Sequence, residues 1–457
     1  MLLASLQRGI SFVILPFVSH AMSPDEFGAA STLTATALFV TAVVGTPLIQ
    51  LIIRAAARGE EDGPALLRLM GTYCYFLLPI TVALVAAAVA LFMPPVLGVS
   101  GPIWAIELLA IGLQPAASVY ALWVSQARED LVRFAWLSST SIVATAASKL
   151  LLVVLLELGV LGWVLSDLIS AILSAVLALM LVRLPRAQVT REHLRSVLKF
   201  TLPLVPHTAS LWAVTSLSRP AMAAVSSLDQ VGLLAFGTNL AMIAGLVMAE
   251  TNRAVLPRYS REVFPAPTHE TLMPVRWQLV TAFVVPAIIG VGIALIGPLI
   301  FADAYWPSFA LTGILLISQA AYGIYLIPMN FLTQSAGLPK YSPLASGAGA
   351  ALILVLILLL GHRYGALGVA YITLAGYATM AFLAMILVVI TKLDIAWNSW
   401  LRDWPAVFLG VVALAAGVFA LSAPVGSSVV LTWAVVALIF SLGAGVLAAR
   451  RSTPRPA

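Results

Sequence analysis

The sequence predicts an all-α integral membrane protein with about 14 transmembrane helices, and three observations lead to this fold class. Of the 457 residues, 61% are hydrophobic and only 9% are charged, whereas about 25% of the residues in an ordinary soluble domain are charged. The mean hydropathy of +1.05 excludes a soluble globular protein. Apolar stretches of about 20 residues, the length that crosses the hydrocarbon core of a bilayer, recur along the whole chain.

Fourteen stretches meet this length requirement, and the connections between them are too short to form a soluble domain. The seventh stretch is the least regular, because it contains Pro203, Pro206, His207 and Arg219. The predicted spans are residues 2–21, 29–51, 69–92, 102–124, 134–156, 160–182, 198–222, 231–252, 279–301, 308–333, 343–361, 366–391, 404–422 and 428–448.

The distribution of Lys and Arg predicts that both termini are cytoplasmic, because cytoplasmic loops are enriched in these residues. If the N-terminus is inside, the inner loops hold 20 of the 24 Lys and Arg residues, and the outer loops hold only Arg363. The remaining three lie within predicted spans. The inner-loop residues are Arg54, Arg58, Arg68, Arg128, Arg133, Arg183, Arg186, Arg191, Arg195, Lys199, Arg253, Arg258, Arg261, Arg276, Lys340, Lys392, Arg402, Arg450, Arg451 and Arg455.

The chain repeats itself at an offset of about 205 residues. SPDEFG (residues 23–28) follows the first span, and SLDQVG (227–232) follows the seventh. LGVLG (158–162) precedes the sixth span, as YGALG (364–368) precedes the twelfth. Gln126 and Gln334 also correspond. Because the repeated unit has six spans, both copies have the same topology and are related by an axis along the membrane normal.

This repeat predicts three segments. Residues 1–196 form an N-terminal lobe of six spans, residues 197–393 form a second lobe, and residues 394–457 add two further helices. Two similar lobes around a central cavity are typical of alternating-access transporters.

Three basic residues inside predicted spans, Arg8, Lys149 and Arg219, are the strongest indication of function. A charged side chain at the centre of a membrane helix costs roughly 2.5–3.5 kcal/mol on insertion scales, so it usually faces a cavity and serves a function. The three cations predict a polar cavity that suits an anionic substrate. Two alternatives remain open: Arg8 reaches the inner interface, and Lys149 either reaches the outer interface or pairs with Asp167 or Glu107.

Glu107 and Asp167 lie in the outer halves of their spans, at depths that match Lys149. They either form a structural ion pair or take up a proton or sodium ion during transport. His207 either titrates near neutral pH or forms a hydrogen bond between packed helices. The sequence shows no spacing typical of a metal site and no nucleophile–base arrangement. Neither metal nor cofactor is expected, and the protein is not expected to be an enzyme.

Several segments resemble one family of transporters. These segments are QRGISFVILP (7–16), MSPDEFG (22–28), FTLPL (200–204) and YGALGVA (364–370). They resemble the polysaccharide-export and O-antigen-type flippases of the multidrug/oligosaccharidyl-lipid/polysaccharide exporter superfamily. Family members commonly have an Asp-Arg pair late in the seventh span. Here the pair is Ser218-Arg219, so the cation is kept and the acid is lost.

The resemblance implies a flippase that translocates a polyprenyl-diphosphate-linked oligosaccharide across the bacterial cytoplasmic membrane for surface polysaccharide biosynthesis. The diphosphate is then expected to bind Arg8, Lys149 and Arg219 during alternating access. The implied partners are the lipid-linked oligosaccharide, membrane lipids and other polysaccharide-assembly membrane proteins, and no nucleic acid.

Two other functions are weighed against this one. A multidrug extrusion antiporter of the same fold transports cationic drugs and favours an acidic cavity, whereas the deep cations here equal or outnumber the deep acids. A membrane-bound glycan polymerase or glycosyltransferase typically has a sizeable outer loop, and no outer loop here exceeds about ten residues.

Overall fold

The computed structural model describes residues 2–57, 62–261, 269–393 and 403–452, and these residues are helical except for short connections and an isolated bridge between Val96 and Val99. The first six helices are α1 (Leu2–Ala21), α2 (Pro24–Ala57), α3 (Gly63–Phe92), α4 (Gly101–Ala127), α5 (Leu131–Leu155) and α6 (Gly159–Leu181).

The rest of the chain contains one helix that was not predicted as distinct from the seventh span. This helix, α7, has 11 residues and precedes the seventh span, which is itself divided in two. The helices are α7 (Arg191–Thr201), α8 (Val205–Ser216), α9 (Ser218–Ala223), α10 (Leu228–Arg261), α11 (His269–Ile300), α12 (Pro307–Ser335), α13 (342–364), α14 (366–390), α15 (Trp404–Ser422) and α16 (Ser428–Ser452).

Each of the 14 predicted spans corresponds to helical structure in the described part of the chain. Eleven helical segments there are long and apolar enough to cross a membrane, and one of them, Pro339–Ile390, is broken at Gly365, where φ is 56°. This break separates α13 from α14. α1 and the α8–α9 pair account for the other spans.

The seventh span differs from its predicted limits. The prediction began it at residue 198, but residues 198–201 belong to α7, and a 3₁₀ turn at Leu202–Leu204 separates α7 from α8. Proline lacks a backbone N–H and restricts the residue before it, so Pro203 and Pro206 favour such a break. Residues 198–201 were predicted to span the membrane because hydropathy alone does not separate the end of an amphipathic helix from an adjoining span.

The chain divides into two compact units, Met1–Gly232 (the first unit) and Leu233–Ala457 (the second unit). In the first unit, α2, α3, α4 and α6 enclose an apolar core that includes Ile52, Met70 and Tyr120. In the second unit, the two last helices pack against α11 and each other. The segment limits 1–196, 197–393 and 394–457 stay a prediction.

Two repeat-related glycines make a reciprocal close contact within the first unit. A Cβ on Gly28 of α2 would overlap the carbonyl oxygen of Leu228, and a Cβ on Gly232 of α10 would overlap that of Pro24. The first turns of α2 and α10 therefore cross at a separation that only glycine allows. The two loop glycines of the repeat, Gly159 and Gly365, have nearly equal positive φ values of 54° and 56°, a conformation that glycine adopts without steric cost.

Candidate functional site

A polar cavity of about 250 Å³ lies among α2, α4, α5 and α6 of the first unit. Three charged side chains line it: Glu107, Lys149 and Asp167. The other polar lining residues carry hydroxyl or amide groups, which suit hydrogen bonding to water or to a hydroxyl-rich ligand. These residues are Thr34, Thr41, Gln114, Ser118, Ser138, Ser141, Thr145, Ser170 and Ser174.

Lys149 is held by two side chains from α6. Its Nζ lies 3.2 Å from Oδ1 of Asp167 and 3.4 Å from the centroid of the Trp163 ring. Trp163 and Asp167 are four residues apart, so they lie on the same face of α6. The carboxylate compensates the ammonium charge, and the ring face adds a cation–π attraction. This Lys149–Asp167 pair is one of the alternatives that the sequence leaves open for Lys149.

The local structure of α5 and α6 places these groups opposite each other. The two helices form a tight hairpin in which Glu157 and Gly159 both have positive φ. Lys149 directly precedes a π-helical turn, Leu150–Leu155, and such π-bulges are frequent at functional sites. Thr145 of α5 and Ser170 of α6 share a hydrogen bond of 2.7 Å between their hydroxyl oxygens.

Trp163 is fixed by contacts with α2. Its Nε1 donates a hydrogen bond of 3.1 Å to Oγ1 of Thr34, and its ring meets Phe27 edge to face, with centroids 6.0 Å apart. Both contacts hold the indole plane in position beneath Lys149. Contacts with α2 therefore position the indole for its cation–π contact with Lys149 of α5.

Glu107 of α4 is the most deeply buried acid of the cavity, with an exposed fraction of 2%. Within the described residues, its Oε2 atom has no hydrogen-bond partner, and its electrostatic neighbours are Asp167 and Lys149. Burial of a polar atom without a partner is costly. Glu107 is therefore a group whose protonation, or whose contact with a cation or ligand, would relieve this cost.

The structure brings together three of the predicted site residues and not all of them. Lys149, Asp167 and Glu107 line one cavity, whereas Arg219 is not among its lining residues. Arg219 is buried in α9, which packs against α2. The backbones of Arg8 and His207 lie in helices, but their side chains fall outside the described part of the structure.

Trp163 and Thr34 were not among the predicted site residues. The four-residue spacing between Trp163 and Asp167 was the available signal, since an aromatic residue and an acid on one helix face form a site for a cation. The role of Thr34 depends on helix packing, which the sequence does not show.

The chain matches a known protein family. A family model described as "Polysaccharide biosynthesis protein" matches residues 1–262, which is more than half of the chain. The chain belongs to this family. No curated protein sequence matches it.

Two solved structures show the fold. The structure of "Lipid II flippase MurJ, inward closed conformation" has a TM-score of 0.72 and 13% identity, with 98% of each chain covered. An inward-facing multidrug resistance MATE family transporter of the MOP superfamily has a TM-score of 0.58 and 13% identity, covering 90% of this chain and 95% of that chain. The fold class predicted from the sequence, an all-α membrane fold of about 14 helices with two six-helix lobes, is confirmed.

Proposed function

We propose that the protein is a flippase that moves a polyprenyl-diphosphate-linked oligosaccharide across the bacterial cytoplasmic membrane during surface polysaccharide biosynthesis. The observation that supports this most directly is the family match over residues 1–262 of a chain that folds like a lipid II flippase. The polar cavity in a membrane-spanning unit agrees with a hydrophilic passenger. In this proposal the protein is a transporter and performs no catalytic step.

The hydroxyl-rich lining of the cavity supports the glycan part of the proposal. Thr145, Ser170, Ser141 and Gln114 present donors and acceptors at one surface, and a sugar carries matching hydroxyl groups. The polyprenyl tail is apolar and stays in the bilayer, so only the head group needs a polar path.

The diphosphate is proposed to interact with Arg8, Lys149 and Arg219. At Lys149, the Asp167 carboxylate already neutralises the ammonium group, so a phosphate oxygen has to replace it. This exchange keeps the lysine charge compensated throughout, while Trp163 remains against the same ammonium group. The released Asp167, together with Glu107 and His207, supplies the proposed sites for a coupling proton or sodium ion.

A gene deletion tests the function, and complementation tests the residues. In the deletion strain, we expect loss of a surface polymer and accumulation of its diphosphate-lipid precursor in the inner leaflet. Lys149→Ala or Arg219→Ala should restore export less well than the wild type, because the diphosphate loses a positive partner.

The matched control removes the same charge elsewhere. The triple variant Arg128→Ala, Arg133→Ala and Lys340→Ala changes only exposed cations and should restore export. Full export by the triple variant Arg8→Ala, Lys149→Ala and Arg219→Ala would exclude the residue assignment, and unchanged glycans in the deletion strain would exclude the flippase.

A multidrug extrusion antiporter is the second candidate, and one observation favours it. The described cavity contains two acids, Glu107 and Asp167, and one cation, Lys149, which suits a cationic drug better than the sequence indicated. Expression in a pump-deficient host decides between the two. Resistance to cationic dyes without any change in surface glycans would support the antiporter.

A further inference from the structure

The amphipathic helix α7 presents a basic stripe that no part of the proposed transport path uses. Its 11 residues are too few to cross a bilayer. Arg191, Arg195 and Lys199 recur every fourth residue and are all exposed. Successive residues of an α-helix are rotated by about 100°, so these three cations form a stripe about 80° wide on one side of α7.

The other sides of α7 have different surroundings. Val197 is buried in the apolar core of the first unit together with Leu51 and Met70. Leu194 and Leu198 lie between this buried side and the basic stripe, and their exposed fractions are 47% and 46%. Three surfaces therefore follow one another around α7: a side buried against the protein, a side with exposed apolar residues, and the basic stripe.

This order of surfaces is the one expected of a helix in the plane of a membrane interface. There, apolar side chains enter the acyl region and basic side chains reach the lipid phosphates. The preceding segment adds two exposed cations, Arg183 and Arg186. The one acid on α7, Glu192, lies in its first turn, so the stripe keeps a positive charge.

The helix is fixed to the rest of the first unit before any lipid binds. His193 Nε2 lies 3.3 Å from Oδ1 of Asp62, which precedes α3. The Thr190 and His193 side chains also cap the N-terminus of α7 reciprocally. A preorganised surface binds with a smaller entropic cost than one that must become ordered.

We propose that the basic stripe of α7 is a binding surface for anionic phospholipid headgroups of the membrane leaflet on its own side. The occupant is a bulk lipid with a net negative headgroup, such as phosphatidylglycerol, and not the transported molecule. The argument rests on charge complementarity and on the adjacent exposed leucines. It does not depend on the proposed transport function.

Lipid-selective fluorescence quenching in the full-length protein tests this proposal. A fluorophore is attached at Leu198→Cys, on the apolar side of α7; Cys74 is fully buried and gives little background labelling. The protein is reconstituted in phosphatidylcholine vesicles containing equal amounts of brominated phosphatidylglycerol or brominated phosphatidylcholine. We expect stronger quenching by the brominated phosphatidylglycerol, and we expect salt to reduce the difference.

Neutralisation of the stripe should abolish this preference. Each Lys or Arg near an anionic surface strengthens attraction by about fivefold, so Arg191→Gln, Arg195→Gln and Lys199→Gln together should weaken the attraction by about a hundredfold. The triple variant Arg128→Gln, Arg133→Gln and Lys340→Gln should retain it. Equal quenching by both lipids in the otherwise unchanged protein, or a preference that persists after neutralisation, would overturn the proposal.

A competition measurement distinguishes bulk anionic lipid from the transported lipid as the occupant of the basic stripe. All vesicles above lack polyprenyl diphosphate, so a negative result does not bear on flipping. If added polyprenyl diphosphate relieves the quenching when it is far scarcer than phosphatidylglycerol, the surface binds the transported lipid and the proposal fails. Relief that requires comparable amounts of the two lipids supports a bulk anionic lipid.

Discussion

At the scale of single residues, two groups of α6 face the amino group of Lys149 inside the helix bundle. The Asp167 carboxylate lies 3.2 Å away, and the Trp163 ring lies beneath it at 3.4 Å. Cation–π attraction is worth about 2 kcal/mol when the cation is desolvated. Removal of one partner of such a pair leaves the other charge buried without compensation, which costs more than the pair contributes.

We therefore expect Lys149→Met to destabilise the protein by about 3 kcal/mol, the lower end of the range for buried pairs, because Asp167 retains 23% exposure. The double variant Lys149→Met, Asp167→Leu should lose less than the sum of the two single variants. The free energy of unfolding in detergent measures this difference through a double-mutant cycle.

Arg253 and Glu250 provide the matched control. They are an ion pair at 2.7 Å, but their side chains are 53% and 38% exposed. Their coupling should lie within about 1 kcal/mol of zero. If the Lys149–Asp167 coupling is no larger than this, the pair does not stabilise the first unit.

The sequence identified the ionisable members of this cluster but not its geometry. A charge within an apolar stretch is visible from hydropathy alone, and this singled out Lys149, Glu107 and Asp167. Which acid reaches the lysine depends on the hairpin between α5 and α6 and on the rotation of each helix. Neither follows from the chain order, so Asp167 could not be preferred to Glu107 from the sequence.

At the scale of helices, the crossing of α2 and α10 depends on two glycines. Gly28 and Gly232 occupy equivalent positions in the repeated motif, and each lies against the backbone of the other helix. The repeat was visible in the sequence as six-residue motifs. The reason why both motifs end in glycine became visible only in the structure, since a sequence does not show which backbones approach each other.

Gly28→Ala and Gly232→Ala should each destabilise the first unit by about 1–3 kcal/mol, because the added methyl group forces the two backbones apart. Gly292 of α11 is a matched control, because a Cβ added there would meet no heavy atom within 4 Å. Gly292→Ala should stabilise by up to about 1 kcal/mol through helix propensity. The thermal unfolding midpoint should fall for Gly28→Ala and Gly232→Ala and should not fall for Gly292→Ala. Equal shifts of the midpoint in all three variants would contradict the close crossing of α2 and α10.

At the scale of the whole molecule, the last two helices are integral to the second unit. Gly417 of α15 lies close to the backbone of Ala287 in α11. At another point of the same contact, Arg276 Nε lies 2.9 Å from Oδ2 of Asp403, with side-chain exposures of 11% and 5%. The sequence predicted two additional helices but not their packing, because neither has a counterpart in the repeat.

Arg276→Met should therefore destabilise the second unit by about 3–5 kcal/mol, because it leaves the Asp403 carboxylate buried without its cation. Arg276→Lys should recover part of this loss, since it keeps the charge but not the geometry of the guanidinium group. Unfolding midpoints of the two variants in detergent give the comparison. If Arg276→Met unfolds at the same midpoint as the wild type, the Arg276–Asp403 pair does not hold α15 in place.

The membrane orientation is the last property that the charge distribution predicts for the molecule. The Lys and Arg bias places α7 on the cytoplasmic side and Arg363 on the outer side. Ser196→Cys and Arg363→Cys put single reactive thiols at these exposed positions, while Cys74 is buried and gives little background. In intact cells, a membrane-impermeant maleimide should label Arg363→Cys and should label Ser196→Cys only after permeabilisation. The reverse pattern would invert the topology, and it would place the basic stripe of α7 against the outer leaflet.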